Sequence, residues 1–222
     1  MVKISIIAID GPVAAGKTTI GTILADNLGY SFIDTGVMYR ALTWKALKLN
    51  IPSENEEENS QLASNTEIEF AVGDSGHRHS VLVDGQDVTS EVHSLEVEAA
   101  VSLVARVAGV RRVLVEQQRQ LAQNGKVVMA GRDIGTTVLP HAELKIYLEA
   151  SVEERAKRRY LEIVERGETV DYHVILSDLI RRDEIDSKRS ISPLEVASDA
   201  KVINTDNLNP GQVLSRILSL MD

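Results

Sequence analysis

The segment Gly11-Pro12-Val13-Ala14-Ala15-Gly16-Lys17-Thr18 follows directly on an apolar run over residues 3–9 and opens a stretch, residues 18–28, with helical apolar spacing. A buried strand that ends in a glycine turn and leads into a helix aims unpaired backbone N–H groups, and the positive end of a helix dipole, at one spot. Such a spot binds phosphate. Gly11 and Gly16 let the backbone curl round an anion, Lys17 reaches the outer phosphates, and the Thr18 hydroxyl is of the type that ligates Mg²⁺. Residues 11–19, closing on Thr19, are therefore the candidate nucleotide triphosphate site.

The 222-residue chain is 43% hydrophobic but only 4% aromatic, so it can bury one sizeable aliphatic core with a small insertion besides. A net charge of −9 argues against a broad nucleic-acid or anionic-membrane surface, and leaves anionic ligands to local arginines. With no cysteine, disulfides, thiolate metal sites and thiol nucleophiles are excluded. No apolar run approaches ~18 residues, and the first lacks a signal-peptide cleavage pattern. A soluble cytoplasmic protein is expected.

Five short apolar runs read as buried parallel strands, at 3–9, 31–33, 126–129, 144–148 and 201–204. Helical spacing is found at 18–28, 39–49, 94–105, 111–123 and 153–165, and Asn209 with Pro210 starts a last helix running to about Leu220. This alternation predicts an α/β three-layer sandwich around a five-stranded parallel sheet, with ligands at the carboxyl ends of the strands. Two stretches break the pattern. Residues 67–72 and 80–83, joined through Gly73 to Gly76, read as a hairpin to which 88–91 adds a third strand, giving a small antiparallel β insertion over about 63–102. Residues 150–192 hold seven of the fifteen arginines with ten acidic residues, a pattern that suits a helix pair laced with i,i+4 ion pairs. The acidic stretch 53–59 reads as a solvated loop.

Further segments narrow the class of phosphate-loop protein. Asp34-Thr35-Gly36-Val37-Met38-Tyr39-Arg40 follows the second strand, Asp87-Val88-Thr89 with Glu91 closes the hairpin, and Gly131-Arg132-Asp133-Ile134-Gly135-Thr136 follows the third core strand. Together with Arg182-Asp183-Glu184-Ile185-Asp186-Ser187-Lys188-Arg189, these resemble the bacterial cytidylate kinases along essentially the whole chain, in matching order. The resemblance implies transfer of the γ-phosphate of ATP to CMP or dCMP, with Mg²⁺, by a monomer that needs neither nucleic acid nor membrane. It also implies a single phosphate-loop kinase domain with its core at 1–62, 103–152 and 190–222, a monophosphate-binding insertion at 63–102 and a helical lid at 153–189.

Residue by residue, the resemblance places base contacts on Ser102, Arg111 and Asp133, and phosphate contacts on Arg40, Arg132 and Arg189. Arg182 and Asp186 match its ribose-contacting pair, Thr35 joins the acceptor site, and Arg158 in the lid is assigned to ATP. Lys17, Arg132, Asp133 and Arg189 are the expected catalytic set, and Lys17 is expected to be exposed. Cytosine carries an exocyclic amino donor beside ring acceptors, so an acceptor and a donor side chain, Asp133 and Arg111, suit it. Uracil would present a carbonyl oxygen to the Asp133 carboxylate.

Two departures stand out: Val13 and Ala14 replace residues that are usually Gly or Ser in that family, and Ala130 occupies a position that is commonly acidic there. A kinase for UMP, AMP or shikimate is the nearest rival, against which the Arg111 and Asp133 pair and the hairpin argue. A nucleotide-dependent switch would want an Asn-Lys-x-Asp guanine motif, which the sequence lacks. A catalytically weak nucleotide binder has only Ala130 in its favour.

Overall fold

The computed structural model describes residues 4–72 and 79–221. By its internal contacts the chain forms two compact units, Met1–Asp34 with Leu121–Asp222, and Thr35–Gln120.

The first unit is built on strands β1 (Ile6–Asp10), β2 (Ser31–Asp34), β6 (Val127–Gly131), β7 (Leu144–Glu149) and β8 (Lys201–Asn204). All four pairings are parallel, in the order β2-β6-β1-β7-β8. The most apolar run takes the middle position, because only a strand covered on both faces and both edges can hide Ile7, Ala8 and Ile9 completely. Helices α1 (Lys17–Leu28) and α8 (Pro210–Leu218) bring Ile20, Leu24, Val213 and Ile217 onto Ile7, Ile9, Val128 and Ile146. Burying each such side chain contributes about 1.5–3 kcal/mol. The expected α/β class and the five strands are borne out, with bounds that differ by a few residues; Lys3, the expected first strand residue, lies outside the described residues.

The ends of these helices follow from their sequence. α1 stops at Gly29, whose left-handed φ of 65° lets its N–H return to the carbonyls of Ala25 and Asp26. α8 starts at the expected Asn209, whose side chain accepts the Gln212 N–H at 3.0 Å while the Gln212 side chain accepts the Asn209 N–H at 2.9 Å. The arginine-rich stretch is the expected helix pair, α6 (Val152–Glu165) and α7 (Tyr172–Lys188), joined by Ala156, Ile163, Ile175 and Leu179.

The second unit holds α2 (Thr35–Lys48), α3 (Glu56–Ser64), the hairpin β3 (Ile68–Val72) and β4 (His79–Val83), a short β5 (Gln86–Asp87), α4 (Leu95–Val104) and α5 (Ala108–Ala122). Met38, Leu42, Val104, Val110 and Leu114 form one core, and Ala41, Val81, Val83, Val88 and Val92 another. Two expectations are corrected here. The acidic stretch 53–59 is not a loop throughout: Asn55 caps α3 by accepting the Glu58 N–H at 3.1 Å, Glu56, Glu57 and Glu58 stand at the positive end of the dipole, and Leu62 and Ala63 anchor the helix by burial. The third hairpin strand is Gln86–Asp87 rather than 88–91, because Asp87 accepts the Thr89 N–H and hydroxyl and turns the chain into a short 3₁₀ segment, Glu91–His93. The expected turn from Gly73 to Gly76 lies outside the described residues.

At the exit of β1, Gly11 has a φ of 150°, and a Cβ there would lie 2.2 Å from the backbone carbonyl oxygen of Leu148. That oxygen belongs to β7 and cannot swing aside as a side chain could. Gly11→Ala is therefore expected to lower unfolding free energy by about 2–4 kcal/mol, measured by denaturant titration. A loss under about 0.5 kcal/mol would show that the strand exit tolerates a side chain.

Candidate active site

The carboxyl edge of the parallel sheet gathers the chemistry of the first unit. Gly16, with φ 90°, is the cap residue of α1, and the first turn of that helix carries no acidic side chain, so its N–H groups and dipole are left for an anion. Ala14 sits in the left-handed region at φ 60°, a conformation that glycine adopts without steric cost. Thr18 donates its hydroxyl to Asp34 Oδ2 at 2.7 Å, which sets a hydroxyl and a carboxylate side by side at the ends of α1 and β2. Asp34 lies in register with Ala130 on β6, so in this corner the carboxylate comes from β2.

Lys17 corrects an expectation. It is 8% exposed rather than projecting into solvent, and its Nζ donates to the Pro12 carbonyl oxygen at 2.5 Å. Burial pushes its ammonium well below the ordinary lysine value and Arg132 adds to this, while Asp34, Asp10 and Asp186 oppose it. A lysine buried in this way gains when an anion arrives.

After β6 the chain enters the Arg132 and Asp133 loop and then a π-helical turn, Ile134–Val138, an irregularity that marks functional sites. Asp10, 5% exposed at the end of β1, accepts the N–H groups of Ile134 and Gly135, each at 2.7 Å, one on each carboxylate oxygen. Burial raises its carboxyl to about 6, with Asp133 adding, against the two N–H groups and Lys17. Arg132 Nε donates to Asp186 Oδ2 at 2.8 Å, and Arg189 Nη2 stands 3.4 Å from Asp133 Oδ1 with both side chains buried. Arg189 also donates from Nε to the Ser192 carbonyl at 2.6 Å. Arg182 is buried on α7, with Nη1 3.8 Å from Asp178. Four residues predicted from widely separated segments, Arg132, Asp133, Asp186 and Arg189, thus meet.

No motif assigns a role to Arg155, which is buried and bonded on several sides. Its guanidinium donates to the Val13 carbonyl at 3.1 Å and holds Asp183 with Nη1 at 3.2 Å and Nη2 at 2.5 Å, which ties the phosphate loop to α6 and α7. At 4% exposure it is more deeply buried than the half-buried Arg158 and Arg159 of the same helix, and no spacing rule reveals that. Arg158, assigned to ATP by resemblance, bonds the Thr205 carbonyl at 2.7 Å and hydroxyl at 3.0 Å just past β8.

The second unit carries the other predicted residues. Thr35 is buried at the first position of α2, with Tyr39 and Arg40 one turn on. Arg111, on α5, is 2% exposed; its Nη1 donates to the Ala105 carbonyl at 3.2 Å and its guanidinium lies 5.4 Å from the centre of the Tyr39 ring. Ser102 is buried on α4. Among the described residues no cluster of three or more His, Cys, Asp and Glu suits a metal, and no helix is long and apolar enough to cross a membrane.

A phosphate loop on the central strand of a parallel sheet, with arginines arrayed beyond the strand ends, defines a phosphate-loop phosphotransferase. The family model for cytidylate kinase matches residues 7–222. A cytidylate kinase from a Geobacillus species is 50% identical over 216 residues, 97% of this chain and 96% of its own length, and one from Bacillus velezensis is 49% identical over the same shares. The chain belongs to the cytidylate kinase family, and its activity is that of a nucleoside-monophosphate kinase. A solved structure of an uncharacterized protein from Eubacterium ventriosum shares the fold, with a TM-score of 0.52 at 12% identity over 99% of each chain.

The pH dependence of stability follows from Asp10. Burial holds its carboxyl at about 6, above the ordinary aspartate value of 3.8, so the folded state binds its proton more tightly and this group's contribution falls as pH rises through that window. From about pH 5 to about pH 7.5 the loss is on the order of 1 kcal/mol. Asp10→Asn removes the titration, so its stability relative to the parent is expected to improve by about that amount across the same interval, read from urea midpoints. An unchanged difference at the two pH values would place the Asp10 pKa near that of an ordinary aspartate.

Proposed function

We propose that the chain transfers the γ-phosphate of Mg²⁺-bound ATP to CMP or dCMP as a cytoplasmic monomer, with residues 153–189 as lid and 63–102 as monophosphate-binding insertion. The observation that carries the site reading is the meeting of Arg132, Asp133, Asp186 and Arg189 beside the phosphate loop.

The loop from Gly11 to Thr19, with the bare helix end behind it, cradles the phosphates of ATP through backbone N–H groups. Lys17 turns from the Pro12 carbonyl to the β- and γ-phosphates, whose negative charge favours its ammonium form. The Thr18 hydroxyl, with Asp34 beside it, has the hard oxygen chemistry that Mg²⁺ takes together with phosphates and water. Bound there, the ion would neutralise charge on the β- and γ-phosphate oxygens. Arg158 is assigned to ATP beside Thr205.

In the acceptor site, Arg40, Arg132 and Arg189 neutralise the α-phosphate, which must approach another phosphate as a nucleophile, and forked guanidinium groups suit that task. Arg182 and Asp186 hold the ribose, and Thr35 lines the site. Asp133 accepts the cytosine amino hydrogen, while Arg111, held by the Tyr39 ring and the Ala105 carbonyl, donates to the ring acceptors with Ser102 assisting. Little covalent chemistry is asked of the protein, and Lys17, Arg132 and Arg189 share the transition-state charge, to which a bound ion would add its own positive charge.

Asp133→Asn exchanges a pure acceptor for an amide that can also present a donor to the uracil carbonyl. The preference for CMP over UMP is expected to shrink by about 10- to 100-fold, whereas Arg132→Ala, a phosphate contact blind to the base, weakens both substrates alike. Equal loss of CMP and UMP turnover in Asp133→Asn would make Asp133 a charge-stabilising carboxylate and leave selectivity to Ser102 and Arg111. Lys17→Ala is expected to retain the fold and to lose far more than ~10-fold in turnover, since 10-fold is only ~1.4 kcal/mol of barrier.

A further inference from the structure

Asp10 is a buried charge that the phosphoryl transfer gives no task. It stands at the end of the central strand, in register with Gly131 on β6 and Tyr147 on β7. Its two oxygens take the backbone N–H groups of Ile134 and Gly135, the first two donors of the π-helical turn. These donors have no partner within the turn itself.

The residue that would ordinarily satisfy one of them is Asp133, which occupies the cap position. An aspartate there normally folds its carboxylate back onto the second or third N–H of the helix. Asp133 makes no such capping bond. The second donor, Gly135, already belongs to Asp10, and the Asp133 carboxylate instead meets Arg189 at 3.4 Å. Gly135 suits the approach: a Cβ on it would lie 3.2 Å from Asp10 Oδ2 and 3.1 Å from Lys145 Cδ, so those side chains would have to give by a few tenths of an ångström.

We propose that Asp10 is a positioning residue of the acceptor site: by capping the π-helical turn from the neighbouring strand, it keeps the Asp133 carboxylate from capping that turn itself and leaves it to face Arg189 and the base of the nucleoside monophosphate. This rests on the reading of Asp133 as the base contact. The groups facing Asp10 are Asp133 at the head of the turn, Lys17 from the phosphate loop, and Tyr147 and Lys145 from β7, the last paired with Asp199 at 2.9 Å. Its role needs the ionised form, because a protonated carboxyl offers one of the two N–H groups a hydroxyl instead of an anionic oxygen.

The test joins a spectroscopic readout of the substrate-free protein to a split of the Michaelis constants. In the parent, the amide protons of Ile134 and Gly135 are expected to resonate far downfield and to move upfield together on acidification, with a midpoint close to about 6. In Asp10→Asn the amide NH₂ opposes one backbone donor, so KM for CMP is expected to rise at least ~10-fold while KM for ATP changes less than ~3-fold and the CMP over UMP preference shrinks. Amide protons that do not titrate would overturn the proposal, and they decide it alone if the variant does not fold. So would unchanged KM values, or a KM for ATP that rises as much as that for CMP, since Asp10 would then act through the phosphate loop. Asp133→Ala examines the underlying reading separately: an unchanged KM for CMP in that variant, with titrating amides in the parent, would remove the base contact and leave the capping bonds in place.

Discussion

Everything in the sheet-bearing unit depends on how closely β1 passes β7 where its strand ends. The Leu148 carbonyl lies so near the Gly11 α-carbon that no side chain fits, and this contact fixes where the chain leaves the sheet. From that exit the phosphate loop reaches α1 in the few residues between Asp10 and Lys17. On the other side of β1, β6 ends in register with Asp10 and delivers Arg132 and Asp133. A shift of one residue in either register would move loop and arginines relative to each other by more than a hydrogen bond can follow.

The electrostatics resolve an apparent contradiction in composition. A chain with a net charge of −9 still holds cations at its sheet edge because three of its arginines are individually matched: Arg132 to Asp186, Arg189 to Asp133, Arg155 to Asp183. A buried guanidinium left alone would be costly, whereas a paired one is held in a fixed orientation before any phosphate arrives. Arg155 is the structural extreme of the set, since its bonds join the phosphate loop to α6 and α7.

Much of this was legible in the sequence because the signals were local. The five strands are short apolar runs, α8 carries its cap and proline, and the phosphate loop lies where a strand meets a helix. What escaped reading was decided by burial and long-range contact. α3 was hidden by its acidic composition, although Asn55 and the three glutamates are a helix start in themselves. Lys17 is buried because the loop folds its own carbonyl over it, and Arg155 is buried against Asp183 and Val13 whereas Arg159 pairs with Glu162 on its own helix. Asp10 carries no local signal, because its partners lie more than a hundred residues away.

The most direct measurement is ADP formation by the purified protein with Mg²⁺ and ATP across a panel of acceptors, CMP, dCMP, UMP and AMP. Cytosine recognition through one acceptor and one donor side chain predicts kcat/KM for CMP and dCMP at least ~100-fold above that for UMP and AMP. Comparable turnover of UMP or AMP, or none with any cytidine monophosphate, would contradict it.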